Sequence, residues 1–228
     1  MSYKTPEEVE QQYVDSLGRD LGRIHHLLVN ECSWLHWKWG EYVTLFGSRP
    51  ERIDLLNQAA GAFFRIVQDS LWEDVLLHIS RLTDPPKSAG KDNLTLQRLP
   101  QLVAPEARAE VQRLLSECLA KSEFARDWRK RHIAHRDLHL ALDERSVPLA
   151  EASRLAVGDA LESIAKLLNV VESYYLKSEV AYELTSPLEN AESLLYVLRD
   201  GIDARKRQQR RFETGQLDPE DMNPPSAV

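Results

Sequence analysis

The feature that most constrains this chain is the spacing of apolar residues between Val157 and Tyr175, where Val157, Leu161, Ile164, Leu168, Val171 and Tyr175 step by four and three in turn. That alternation keeps every member on one side of an α-helix, which the two-residue period of a strand cannot do. A stripe of this kind needs another helix to cover it, within a bundle or across a dimer. Similar spacing recurs upstream. Residues 51–82 carry Leu56, Ala60, Phe63, Val67, Leu71 and Val75 three or four apart, which reads as one stripe, and residues 20–46 gather Trp34, Trp37, Trp39, Tyr42 and Phe46, of which the three tryptophans read as core or dimer interface, with a base-stacking platform the other reading. No stretch shows sustained period-two alternation between turn residues, so the expected fold class is all-α with no strands.

Helix breakers divide the chain. The helix opening at Asp20 should stop near Gly47 and Ser48, because Pro50 disfavours helical geometry at Arg49. Asp84, Pro85 and Pro86 stop the second, KSAGKDN reads as loop, LTLQRLPQLV as a short helix, and a third long helix starts near Pro105 with a basic segment at its far end. The seam helix is expected from about Ala150 and a fifth over residues 187–212. With no repeat or compositional break, residues 1–214 read as a single domain, and the polar, Pro-containing tail 215–228 as disordered.

A chain of 228 residues buries a core without staples. Cys32 and Cys118 read as reduced, buried thiols, since one widely separated pair is no disulfide framework and neither has a partner at metal-ligand spacing. The N-terminus carries acids where a signal peptide needs a cationic and then an apolar stretch, and no window is long and apolar enough to span a bilayer, so the expected location is cytoplasmic with no membrane partner. A net charge of −7, from 36 acids against 29 Lys and Arg, argues against coating long nucleic acid through phosphate contacts. Any nucleic-acid chemistry must be local.

One segment breaks the acidic pattern. Residues 126–137, RDWRKRHIAHRD, hold Arg126, Arg129, Lys130, Arg131 and Arg136, with His132, His135, Asp127 and Asp137. On an ideal helix turning about 100° per residue, Arg129 falls on the stripe of Val111 and Cys118, so an inward-leaning guanidinium needs a carboxylate, Asp74 or Asp84, or a ligand phosphate. An ion pair that orders a helix end is the plain structural reading. His135 lies about 120° further round, so the two residues flank a cleft rather than stack, and a cleft on a two-fold axis would hold two of each. Histidine exchanges protons near neutrality, and a guanidinium fork matches phosphate oxygens and the charge that develops on them. RNA supplies its own nucleophile in the ribose 2′-hydroxyl, so such a site requires no metal. The sequence has no HExxH, paired CxxC, GxxxxGK[ST], GxGxxG or GxSxG, and no metal or other cofactor is expected.

The run RKRHIAHRD, an arginine, five intervening residues and a histidine in an AHRD context, resembles the Rx4-6H signature of the HEPN superfamily. The stretches WKWGEYVTLFG, ERIDLLNQAAGAFFRIVQDSLWEDVLLHISRLTDPP and DNLTLQRL resemble its abortive-infection-like branch, so the similarity covers most of residues 30–200. The resemblance implies a HEPN-like bundle of four to five long helices that dimerises, and a metal-independent endoribonuclease acting as a toxin or phage-defence effector on RNA. By motif, Arg129 and His135 take the catalytic roles, with Lys130, Arg131 and Arg136 holding the RNA phosphates. The reaction the resemblance implies is attack of the 2′-hydroxyl on the adjacent phosphorus, leaving a 2′,3′-cyclic phosphate and a 5′-hydroxyl. Lys130 departs from the polar or acidic residue usual after that arginine. A second register, Arg126 to His132 with Asp127 after the arginine, has the same spacing, and Asp84 is a supporting residue. The alternative function is a catalytically silent HEPN-like dimer that binds protein or RNA, and family analogy adds an antitoxin or nucleotidyltransferase as partner. Residues 203–211, DARKRQQRR, read as a solvated helix end suited to the helix dipole, with an RNA-guiding surface the other reading. His25, His26, His36 and His78 have no ligand-like companions and no chemistry assigned.

Overall fold

The computed structural model describes residues 4–142, 147–184, 189–218 and 221. Its helices are α1 (Pro6–Leu17), α2 (Arg19–Tyr42), α3 (Pro50–Leu82), α4 (Leu99–Leu102), α5 (Pro105–Lys121), α6 (Glu123–Trp128), α7 (Leu138–Ala141), α8 (Arg154–Leu176) and α9 (Ala191–Thr214). The all-α class holds, with one small correction. Within KSAGKDN, β1 (Lys87–Ser88) pairs antiparallel with β2 (Lys91–Asp92) through a turn whose central residues, Ala89 and Gly90, have φ of 48° and 80°. Two strands of two residues are too short to leave a periodic signal.

The chain forms two compact units, Met1–Gly40 with Ser70–Ser186, and Glu41–Asp69 with Pro187–Val228. In the first, the seam of α8 is the centre of the core: Val157, Leu161, Ile164 and Leu168 are each at most 2% exposed and share one cluster with Val111, Leu114, Leu115 and Cys118 of α5. Leu28, Cys32 and Leu35 of α2 and Val75, Leu76 and Ile79 of α3 complete it. Both cysteines are free and buried. The seam helix starts at Arg154 rather than Ala150, because the Ser153 hydroxyl accepts the Ala156 N–H at 3.1 Å and caps it there.

Helix α1 lies ahead of the first helix expected from periodicity, and its signal is local. The Thr5 hydroxyl accepts the Glu8 N–H at 3.3 Å while the Glu8 carboxylate accepts the Thr5 N–H at 2.8 Å, a reciprocal cap with Pro6 at the first helical position. Gly18, at φ 82°, turns the chain into α2. Gly22 then lets the two helices meet, since a Cβ there would stand 2.5 Å from the Tyr13 carbonyl oxygen. Tyr13 donates to Glu172 of α8 at 2.5 Å and packs on the rings of His25 and His26.

In the second unit, Leu45, Leu56, Phe64, Ala191 and Leu195 form a separate small core. The single stripe expected along α3 is therefore corrected. Ala60 leaves helical geometry at φ −165° and ψ 68°, and beyond it Phe64 is buried while Phe63 is 60% exposed. The expected third long helix also divides: α5 ends at Lys121, Ser122 adopts φ −99° and ψ 4°, and α6 resumes. Helix α9 starts at Ala191 rather than residue 187, because Asn190 accepts the N–H groups of Glu192 and Ser193. It ends at Gly215, φ 71°. The tail expected over 215–228 lies outside the described residues except for 215–218 and 221. Among the described residues, no helix is long and apolar enough to cross a membrane.

The two glycines of α2 make opposite predictions. Gly22→Ala should destabilise the protein by about 1–3 kcal/mol, because the methyl group meets backbone that cannot rotate away. Gly40→Ala, with nothing within 4 Å of its Cβ position, should stabilise by roughly 0.5–1 kcal/mol. Denaturant midpoints of the two variants check both signs.

Candidate active site

Ser122 ends α5 inside the core and α6 carries the chain for six residues, after which Arg129–Ile133 open into a π turn. The Ala134 N–H donates to the Arg129 carbonyl at 2.8 Å, and the Asp137 N–H reaches back to the Arg131 carbonyl at 3.0 Å. The ideal-helix projection that offset His135 from Arg129 by about 120° therefore does not describe this segment. π turns replace α geometry at some cost and cluster at functional sites.

Arg129 comes from this turn half-buried, and its Nη1 donates to Asp84 at 2.5 Å and to the Ser80 hydroxyl at 3.4 Å. Of the two carboxylates considered for it, Asp84 is the partner. Asp74 instead receives Lys38 at 2.5 Å. Asp84 is fixed by the loop around it. Thr95 Oγ1 donates to the carbonyls of Asp84 and Leu82 at 2.6 and 2.9 Å, Gln97 Nε2 to that of Thr83 at 2.8 Å, and Asn93 Nδ2 to that of Pro85 at 2.8 Å. Arg98 closes the hairpin with bonds to the carbonyls of Asn93 and Pro86 and to the Asp92 carboxylate. The result is a cleft of about 400 Å³, with Glu31, Arg81, Asp84, Asp92, Asn93 and Arg129 among its walls. Nε and Nη2 of Arg129 have no hydrogen-bond partner among the described residues, so one edge of its fork is open for an anion.

The other residues of the segment divide into held and unheld. Arg131 donates to the carbonyls of Val147 and Pro148 and stands 3.4 Å from Asp127. Asp127 in turn accepts the Ala150 N–H at 2.9 Å, and Trp128 Nε1 donates to the Ala150 carbonyl at 2.8 Å. Asp127, Trp128 and Arg131 thus pin residues 147–150, the lead-in to α8. Arg126 turns to the Leu119 carbonyl at 2.8 Å, and His132 packs edge-on to Trp128 with Nε2 3.6 Å from Glu73. The alternative register is therefore tied into its surroundings at Arg126, Asp127 and His132. Lys130, His135 and Arg136 are exposed and make no hydrogen bond or ion pair with the described residues.

A family model described as AbiU2, of HEPN type, matches residues 19–193. The chain belongs to the AbiU2 family of HEPN proteins. No curated protein and no solved structure matches it. The family match takes in the whole cleft and the whole basic segment, and leaves α1 and nearly all of α9 outside.

Sequence reasoning about this AbiU2-family chain missed the other side of the cleft. Glu31 lines it and also stands 2.8 Å from Nε2 of His78, a ring 1% exposed. A second buried pair, His25 and Glu172, lies 3.3 Å apart below Tyr13. Nothing in the sequence spacing links His78 to Glu31, since they sit on different helices. Among the described residues no group of three His, Cys, Asp or Glu is placed to hold a metal.

Burial, helped by nearby Lys38 and Arg81 and opposed by Glu31, pushes the His78 imidazole down to about 4. Burial also lowers His36, against the pull of Glu183. The unfolded chain takes up a proton at these rings near pH 6.5, which the folded protein refuses until about 4 at His78. The His78 contribution to stability should therefore be complete above pH 6.5 and be lost as the pH drops towards 4. That contribution is at most about 3 kcal/mol. Denaturant midpoints across this range, with His78→Gln flattening the slope, check it.

Proposed function

We propose that this AbiU2-family chain is a metal-independent endoribonuclease of homodimeric HEPN type, acting as a toxin or phage-defence effector. The observation that carries this reading is the half-open guanidinium of Arg129, aimed into a cleft by Asp84 and Ser80 with one edge of its fork unpaired. That edge suits the two free oxygens of a phosphodiester. His135 stands unheld just past the π turn, and Lys130 and Arg136 are likewise exposed and free to meet the flanking backbone. In the proposed reaction Arg129 binds the scissile phosphate and His135 moves a proton at the 2′-oxygen or the leaving 5′-oxygen. The 2′-oxygen forms its bond to phosphorus as the bond to the 5′-oxygen breaks, and the proton lost from one oxygen is matched by the proton gained at the other. A second copy of the chain supplies a second Arg129 and His135 to the same substrate channel. Arg131 holds the protein's own 147–150 strap, so its role in RNA binding is indirect.

The Asp84 ion pair also favours a second reading, a catalytically silent dimer that binds RNA or protein. The two separate by assay of the purified chain on single-stranded RNA in excess chelator. Cleavage should occur in the wild type and fall by roughly 10²-fold or more in Arg129→Ala and in His135→Ala. Arg126→Ala and His132→Ala should retain it. Absence of wild-type cleavage, or its survival in both Arg129→Ala and His135→Ala, rejects the nuclease.

A further inference from the structure

The second unit has a cleft of its own. It measures about 820 Å³ and is walled by Arg49, Arg52, Leu55, Leu195, Tyr196 and Arg199, with Glu51 and Glu192 at its sides. The cleft is built from the start of α3 and the first three turns of α9. On α9, residues 192, 195, 196 and 199 recur at three- and four-residue steps and so share one face.

Its charges are unequal in availability. Arg52 is committed, with Nη1 donating to the Thr44 carbonyl at 2.7 Å and to the Ser48 hydroxyl at 3.0 Å, and with Nη2 3.6 Å from Glu192. That contact neutralises Glu192. The Arg49 side chain makes no hydrogen bond or ion pair with the described residues, and the one ion pair of Arg199 among them is with Asp200, at 3.6 Å and exposed on both sides, which is worth little in water. Two guanidinium groups are thus left to face a ligand.

Between them stands an aromatic ring. Arg199 lies over Tyr196 with its guanidinium carbon 4.8 Å from the ring centroid, while Tyr196 remains 54% exposed. One face of the ring carries the cation, more than half of the side chain remains exposed to solvent, and Leu55 and the buried Leu195 line the same cleft. An exposed aromatic ring, an apolar lining and unpaired guanidinium groups together match a nucleotide of single-stranded nucleic acid, whose base stacks while its phosphate takes the cations. A plain anion would have no use for the ring and lining, and an apolar ligand none for the arginines. Further along the same face, Lys206 reaches Gln58 of α3 at 3.3 Å, so a basic side chain also stands where the strand would leave the cleft.

We propose that this second-unit cleft is an RNA-holding site, in which Tyr196 stacks an unpaired base and Arg49 and Arg199 bind its phosphates. Arg49 lies within the residues that match the AbiU2 family model, and Tyr196 and Arg199 lie beyond them. The substrate class, single-stranded RNA, rests on the endoribonuclease reading, but binding is measured apart from cleavage.

The test is fluorescence anisotropy of the full-length protein with a labelled single-stranded RNA carrying 2′-O-methyl groups throughout, which cannot be cleaved through its 2′-oxygens. The wild type should bind, and Tyr196→Ala should weaken binding by about tenfold. Tyr196→Phe should bind as the wild type, because the ring and not the hydroxyl is used. Arg49→Ala and Arg199→Ala should each weaken binding and reduce its dependence on log salt concentration by about one phosphate contact. Tyr196 is too exposed for its truncation to open the core, and an unchanged thermal midpoint verifies this. Wild-type failure to bind, equal binding by wild type and Tyr196→Ala, or equally effective competition by a polyglutamate peptide, which has charge but no bases, overturns the proposal. Binding with these dependences but without cleavage of ordinary RNA would reject the nuclease and leave this site standing. Cleavage with an unaltered KM in Tyr196→Ala would do the reverse.

Discussion

The packing of α8 on α5 is the interaction on which the rest of the first unit depends. Four seam residues of α8 and four of α5 are removed almost completely from water, which supplies on the order of 1.5–3 kcal/mol for each large side chain. This contact also fixes both ends of the basic segment. Ser122, fully buried at the end of α5, sets where α6 departs, and residues 147–150 return to α8 under the hydrogen bonds of Asp127, Trp128 and Arg131. The π turn of Arg129–Ile133 lies between these two anchors. Arg129 stands at the start of that turn.

The Arg129–Asp84 pair sits between a structural and a chemical role. Both groups are partly exposed, so the pair adds little stability on its own account. Asp84 does not depend on it either, since Thr95, Gln97, Asn93 and Arg98 hold the loop through backbone carbonyls. The loop therefore orients the arginine and not the reverse. A guanidinium oriented by a fixed carboxylate through one nitrogen, with its other edge open, is pre-set to meet a phosphate without first losing side-chain entropy.

The seam of α8 was legible because a fully buried helix face writes itself as apolar spacing, and Asp84 was one of two carboxylates open to Arg129 because the helix stripe required a partner. What the sequence did not show has physical reasons. The stripe along α3 reads as continuous because its residues are apolar throughout, yet Ala60 breaks the helix, and further on the residues change cores, Leu56 and Phe64 serving the second unit and Val75, Leu76 and Ile79 the first. The offset between Arg129 and His135 failed because a π turn has no compositional mark. Glu31 was invisible because its link to His78 crosses between helices. The capping box at Thr5 and Glu8 was the opposite case, a readable local signal outweighed by attention to periodicity.

The proposed function comes down to a single chemical statement, that a phosphodiester bound at Arg129 is cleaved by the ribose's own 2′-oxygen. The most direct measurement is the chemistry of the RNA ends after incubation with the full-length protein in excess chelator. The account predicts 2′,3′-cyclic phosphate and 5′-hydroxyl ends, and no cleavage at a position where a single 2′-O-methyl group replaces the hydroxyl. Products ending in a 3′-hydroxyl and a 5′-phosphate, or cutting that is indifferent to the 2′-O-methyl group, would contradict it.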